Sequence, residues 1–532
     1  MNNQKIFSAI VIALLAINML HAGDKEYQYQ SLYKDLPFKM PKVEKPVFPD
    51  RSVNITVFGG VPDGITLNTN AFSEAINTLS NQGGGTLVVP SGIWFTGPIV
   101  LKSNINLHLE RGALIIFSPD KDHYDIVETS FQGLNTYRTQ SPISGRNLEN
   151  IGITGEGAIN GSGEAWRPLK RSKVTDSHWK SVVRSGGVLV NDSYWLPSES
   201  ALKGEKLSPQ RKELSKEESA AIKEHLRPVM VSLVECKNVL LEGVLFENSP
   251  NWNIHPLMCE NLIVDGVFIR NPSYAQNGDG LDIESCKNVI VVNTTLDVGD
   301  DAICLKSGKD EEGRKRGRPT ENVIVDNCRV FKGHGGFVVG SEMSGGVRNI
   351  SVSNCQFMGT DVGLRFKSAR GRGGVVENIY ISHINMFDIV HEPLLFDLYY
   401  FTKKTTDIPP VDETTPVFRD IYINNIVSRN SNRAMFFNGL PEMNILNINV
   451  ENAFITAKRG AEISESKSIK LNHVTIVPED GPALHLNNVK DVKLDQLSAP
   501  ETLETIVEIT GTRNDNIKLP DHIDKTKIIQ KP

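Results

Sequence analysis

An asparagine-led repeat limits what this chain can fold into more than any other feature. Asn238-Val-Leu-Leu-Glu-Gly-Val, Asn261-Leu-Ile-Val-Asp-Gly-Val, Asn288-Val-Ile-Val-Val-Asn-Thr, Asn322-Val-Ile-Val-Asp-Asn-Cys, Asn349-Ile-Ser-Val-Ser-Asn-Cys and Asn378-Ile-Tyr-Ile-Ser-His-Ile follow one another at intervals of 23, 27, 34, 27 and 29 residues. Weaker copies begin near Asn104, Asn150, Asp420, Ile445, Ile469 and Val492. Each unit holds two or three short runs rich in Val and Ile, alternating in polarity and separated by Gly, Asn and Asp, which is strand and turn punctuation. No unit can bury its apolar face alone. Stacked as coils, the units bury one continuous core. The pattern predicts an all-β, right-handed parallel β-helix. A leucine-rich repeat lacks its Leu-x-x-Leu-x-Leu frame here, and the units are too short for four-stranded propeller blades.

An open solenoid end exposes core and strand edges. Residues 69–82 place Phe72, Ala75, Ile76 and Leu79 on one helical face before Gly83-Gly84-Gly85, so a short N-terminal capping helix is expected. From about residue 166 to 227 the chain is strongly charged and carries no coil signal. It reads as an insertion, within which Ser215-Lys-Glu-Glu218 is a capping-box pattern opening a helix to about Leu226. Insertions of this size often wall a binding groove. At the N-terminus Lys5 precedes an apolar run over residues 6–20 and Leu20-His21-Ala22 offers a cleavage site, so residues 1–22 read as an export signal. The expected organisation is then an N-terminal extension over 23–50, a β-helix catalytic domain over 51–520 and a tail over 521–532. A periplasmic or extracellular protein follows, with no membrane span once the signal is removed. Disulfides are permitted there, yet Cys236, Cys259, Cys286, Cys328 and Cys355 recur in register with the repeat, which suits small buried residues stacked on their equivalents. No Cys/His cluster points to zinc, and no metal or other cofactor is expected. A formal charge of -6 argues against a nucleic-acid partner.

The chemistry-bearing residues fall on successive coils. Asn277-Gly278-Asp279-Gly280-Leu281-Asp282 is followed by Gly299-Asp300-Asp301, then Gly333-His334-Gly335, then Arg365-Phe366-Lys367. Taken singly, these are a turn, a loop, a glycine-flanked histidine and a strand edge. In order on one solenoid they make a stripe of acids, an imidazole and two cations, because equivalent positions of neighbouring coils stack at the inter-strand spacing. Carboxylates this close repel, so at least one keeps its proton at neutral pH. A protonated acid beside an ionised one is the apparatus for cleaving a glycosidic bond. The two cations would grip a sugar carboxylate, Arg365 in bidentate fashion and Lys367 as a point charge, so the expected partner is an acidic polysaccharide.

The four motifs, in this order and over most of the chain, resemble glycoside hydrolase family 28, the polygalacturonases and rhamnogalacturonan hydrolases. That resemblance implies a pectin-lyase-like solenoid and inverting, metal-free hydrolysis of pectin, either homogalacturonan or rhamnogalacturonan. Carried over by position, it implies Asp300 as general acid, Asp279 and Asp301 as the pair activating water, and His334 as the assisting histidine. Arg365, Lys367, Asn277 and Asp282 would contact substrate. The family's usual Asn-Thr-Asp is Asn277-Gly278-Asp279 here. A substrate-contacting tyrosine is expected about thirty residues beyond Lys367, which leaves both Tyr399 and Tyr400. The stretches around Trp252 and His255, and Gly340-Ser-Glu342-Met-Ser-Gly-Gly346, look like the exo-acting bacterial members, and both Trp252 and His255 are expected substrate contacts. Two other readings compete with hydrolysis: a calcium-dependent pectate lyase, and a non-catalytic polysaccharide-binding β-helix.

Overall fold

The computed structural model describes residues 28–207, 214–403 and 408–531. The expected export signal lies outside them. Residues 28–39 belong to a small unit of their own, with one 3₁₀ turn at Gln30–Tyr33. From Met40 onward the chain is a parallel β-helix built on a single 34-stranded sheet system. No helix among the described residues is long and apolar enough to cross a membrane.

The repeat asparagines mark a tight corner at or just inside the start of one strand in each coil, and the corner explains why they are asparagines. Asn104, Asn150, Asn238, Asn261, Asn288, Asn322, Asn349 and Asn378 all have φ between 53° and 62°. This left-handed region penalises most L-residues, and asparagine tolerates it best after glycine. Unlike glycine, asparagine brings an amide with both a donor and an acceptor. The side chains form a ladder in which each Nδ2 donates to the Oδ1 one coil below, from Asn150 to Asn104 (3.1 Å) through Asn288 to Asn261 (3.2 Å) to Asn349 on Asn322 (3.1 Å). In the weaker coils Asp420 and Asp491 supply the acceptor to Asn447 and Asn516.

Inside, residues of like type stack. Phe366 lies face to face on Phe396, with centroids 4.5 Å apart. All six cysteines are free and buried, and the five that recur with the repeat belong to the continuous apolar core. A helix at Thr69–Asn81 buries Phe72, Ala75, Ile76 and Leu79 against the first coils, as its sequence predicts.

Two excursions leave the coils. Ile126–Phe131 and Leu134–Thr139 form an antiparallel hairpin. Gln132 (φ 50°) and Gly133 (φ 76°) make the two-residue turn with both φ positive that matches strand twist. Between residues 166 and 227 a three-stranded antiparallel sheet (Leu169–Lys170, Tyr194–Leu196, Val188–Asn191) packs with the helix Asp176–Arg184 around Leu169, Trp179 and Trp195. The Ser215–Glu218 capping box is present, with the Glu218 N–H donating to Ser215 Oγ at 3.2 Å and the Ser215 N–H to Glu218 Oε2 at 2.9 Å. The helix it opens ends at Ala220, short of the expected Leu226. Pro228 disfavours helical geometry at Arg227, and the chain ahead of it closes in separate turns, Ile222 N–H to Ser219 O and His225 N–H to Ile222 O.

Candidate active site

Strand alternation creates the site. In Leu281–Glu284, Leu281 and Ile283 enter the core, leaving Asp282 and Glu284 on the outer face. In Leu364–Lys367, Leu364 and Phe366 enter the core, leaving Arg365 and Lys367 outside. The intervening strands Asp301–Lys306 and Gly335–Val339 pair between them in parallel register, Asp282 opposite Cys304 and Val338 opposite Arg365. Asp279 and His334 sit in the loops leading into these strands. Single carboxylate oxygens of Asp279, Asp300 and Asp301 all lie within 4.8 Å of one another.

The three acids are held differently. Asp301 is 2% exposed. Its Oδ2 accepts from Lys367 Nζ at 2.6 Å and its Oδ1 from Arg365 Nη1 at 3.1 Å. Burial alone would raise its pKa, but Lys367 and Arg365 outweigh it and hold the carboxyl well below its ordinary range. Asp279 is equally buried, and its Oδ1 has no hydrogen-bond partner. Burial first, then the Asp282 and Asp300 carboxylates, push it well above the ordinary range, which favours its neutral form. Burial also lifts Asp282 to about 8 despite Lys306 Nζ at 3.4 Å. Asp300 is half-buried; its Oδ1 accepts the Asp301 N–H at 3.1 Å and meets His334 Nδ1 at 2.9 Å. That hydrogen bond raises the His334 pKa, against burial.

Tyr400 and Tyr399 separate cleanly. Lys367 Nζ lies 4.9 Å and the Arg365 guanidinium 5.7 Å from the Tyr400 ring centroid, whereas Tyr399 stacks with Arg370 at 5.2 Å. Tyr400 is the tyrosine at the cationic end of the stripe. Asn277 is half-buried, with Oδ1 accepting from Arg227 Nη2 at 2.9 Å. Trp252 and His255 are buried behind the acids. Trp252 packs edge-on to His255 and carries the Lys306 ammonium 4.8 Å from its ring centroid, and His255 Nε2 meets Glu284 Oε2 at 2.9 Å.

Sequence reasoning missed several residues that complete this arrangement. Lys306 bridges Asp282 and Glu342 (3.3 Å) beneath the acids. Its signal was available, since it lies on the outer face of the strand that Asp301 begins. Arg316 binds Glu284 Oε1 at 2.8 Å from a helix, Asp310–Arg316, that no periodicity announced. Asp361 Oδ2 stands 3.8 Å from His334 Nε2.

Asp279, Asp300 and Asp301 are also the set that could hold a cation. A calcium ion takes six to eight oxygens. Here both oxygens of Asp301 are already engaged by Lys367 and Arg365, and burial favours the neutral form of Asp279, so the donor set fits a divalent ion poorly.

Comparison with known proteins gives a consistent result. The family model described as Glycosyl hydrolases family 28 matches residues 212–477. A probable polygalacturonase of Vitis vinifera is 28% identical over 418 residues, covering 76% of this chain and 74% of its own. An exo-poly-alpha-D-galacturonosidase of Dickeya chrysanthemi is 27% identical over 397 residues, covering 71% of this chain and 62% of its own. The crystal structure of a hyperthermoactive exopolygalacturonase from Thermotoga maritima superposes with a TM-score of 0.67 at 32% identity, covering 85% of this chain and 94% of that one.

Proposed function

The chain belongs to glycosyl hydrolases family 28, and from that premise we propose that it is an exported, exo-acting polygalacturonase that hydrolyses α-1,4-linked galacturonate with inversion. It is a glycoside hydrolase. The observation that carries the finer reading is the meeting of Asp279, Asp300 and Asp301 within 4.8 Å, flanked by Arg365 and Lys367.

In this reading the Asp300–His334 pair carries the proton that reaches the departing glycosidic oxygen as the bond to the anomeric carbon breaks. A water held by neutral Asp279 attacks that carbon and yields its proton to Asp301. A carboxylate offers about four lone-pair sites, and Lys367 and Arg365 occupy two, leaving Asp301 room for the water. A substrate uronate on Arg365 and Lys367 draws their charge from Asp301 and restores its basicity. Tyr400 borders the same subsite. Trp252, His255 and Asp282 support the wall from behind.

The acids lie closer than the roughly 6.5–9.5 Å usual for inversion. Retention would need a free carboxylate nucleophile, however. Lys367 and Arg365 hold the Asp301 charge and weaken it as a nucleophile, and Asp279 is driven toward its neutral form, which favours direct attack by water.

The test is product analysis on polygalacturonate and rhamnogalacturonan, with proton NMR of the first-formed anomer and an EDTA arm. Monogalacturonate from the start, in inverted configuration and insensitive to chelator, is expected from polygalacturonate. A ladder of oligomers sinks the exo reading, the retained anomer sinks inversion, and an unsaturated product lost in EDTA sinks hydrolysis. Cell fractionation tests export, which rests on the apolar N-terminal run; a cytoplasmic product would refute it.

A further inference from the structure

A cavity of about 610 Å³ lies between the hairpin, the 166–227 insertion and Asn277, which stands two residues before Asp279. Its wall holds two arginines, Arg138 and Arg227, each only 9% exposed. Arg138 lies flat on Phe131, 3.7 Å from the ring centroid, and donates to the Arg227 carbonyl, while its Nε has no partner. Arg227 donates to the carbonyls of Pro250 (3.0 Å) and Gln276 (2.9 Å) and to Asn277 Oδ1. Arg167 stands behind the wall, on Ser249 O and Asn248 Oδ1.

These partners satisfy donors without cancelling charge. Among the described residues none of the three arginines forms an ion pair with a carboxylate. The two acids that line the cavity, Glu205 and Glu224, are less buried, and Glu205 leans to His225 at 3.7 Å. Burial, with the neighbouring arginine, depresses Arg138 to about 9 and Arg227 to about 10; burial and both arginines press His225 down to about 4. Buried charge is ordinarily paired. A pocket whose guanidinium groups meet no carboxylate partner among the described residues, beside an active site, is suited to receive an anion.

We propose that this cavity binds a second uronate carboxylate, that of the terminal sugar, on Arg138 and Arg227. The inference rests on the polygalacturonate reading above. Two cationic grips then flank the acids, one for each sugar of the scissile linkage. Insertion residues such as Tyr194, Leu196 and Ala201 line the cavity, so in this proposal recognition is of an acidic chain end, and a methyl ester there is rejected.

The test compares trigalacturonate with its two analogues carrying one methyl ester on either terminal sugar. In the wild type, one ester and not the other should lower kcat/KM by about 10- to 100-fold. Arg138→Met, which keeps volume, should lose a similar factor on the unmodified trimer and no longer distinguish the esters. In thermal shift, galacturonate but not galactose should raise the wild-type Tm, and in Arg138→Met the galacturonate shift should shrink to what the Arg365–Lys367 grip alone supports. If that variant does not fold, Arg138→Lys, which keeps the charge, should retain the ester discrimination. Equal effects of the two esters in the wild type, or discrimination surviving in Arg138→Met, overturn the proposal while leaving hydrolysis intact. An Arg138-dependent galacturonate shift without any turnover would instead overturn the hydrolase reading and leave the cavity standing.

Discussion

Replacing Lys367 by methionine should add to the pH dependence of stability that the raised Asp279 and Asp282 carboxyls already give the wild type. Lys367 and Asp301 are both almost fully buried and meet at 2.6 Å. In the wild type Asp301 is held below its unfolded value of 3.8. The stability it contributes is therefore fully present above that value and is lost only as pH falls through the lower folded pKa. Between pH 5 and 7 it binds no proton in either state, so its contribution is flat. Lys367, raised above 10.5, is likewise constant in that range. Without the ammonium, burial is opposed chiefly by Arg365, and the folded pKa of Asp301 rises. Where it exceeds the assay pH, the folded state holds a proton that the unfolded state lacks, and stability falls by up to about 1.4 kcal/mol per pH unit as pH rises. The variant should lose about 3–5 kcal/mol at pH 7 and up to about 2.7 kcal/mol less at pH 5. Urea unfolding at pH 5, 6 and 7, with matched m-values, reads this directly. A loss that is the same at pH 5 and pH 7, or below about 1 kcal/mol at both, would refute the claim that Lys367 is what keeps Asp301 ionised.

Asp300→Asn should lower kcat by about 10²–10⁴-fold with little change in Tm, since Asp300 is only half-buried; turnover within tenfold of wild type would remove it from the acid role. The His334 imidazole should titrate above the ordinary histidine value of 6.5 by NMR and fall back toward it in Asp300→Asn, because the Asp300 hydrogen bond is the leading cause of its shift. Its contribution to stability is complete below the unfolded pKa and declines as pH rises through the folded one. Asn288→Ala should cost about 2–4 kcal/mol, from a left-handed φ of 59° and two ladder bonds, and Asn288→Gly should recover the backbone share; equal losses in a denaturation series would contradict the strain argument.

The ladder explains why the fold was so legible. A left-handed corner at each coil needs asparagine for its backbone tolerance, and the stacked amides need it again for their paired donor and acceptor, so two independent constraints write the same letter at each turn. The stripe of Asp279, Asp300, Asp301, His334, Arg365 and Lys367 was legible for a related reason: register carries these residues to one wall, and the repeat announces register. Lys306 is readable by the same alternation, although a lysine on a strand face is usually solvated. What periodicity could not reach came from outside the coils. Arg138 arrives on a hairpin and Arg227 at the end of the insertion, 89 residues apart along the chain, and no spacing rule links them. Nor could sequence distinguish Tyr399 from Tyr400, because the backbone just beyond Leu394–Asp397 leaves the strand before reaching either. Coil registers are set by stacking every residue against its equivalent, which a sequence displays openly. Excursions are set by what they cover, and the identity of the covered surface enters only in three dimensions. The proposed reaction centre of this hydrolase is therefore written in the part of the chain that repeats, and the features proposed to select its substrate's end lie in the parts that do not.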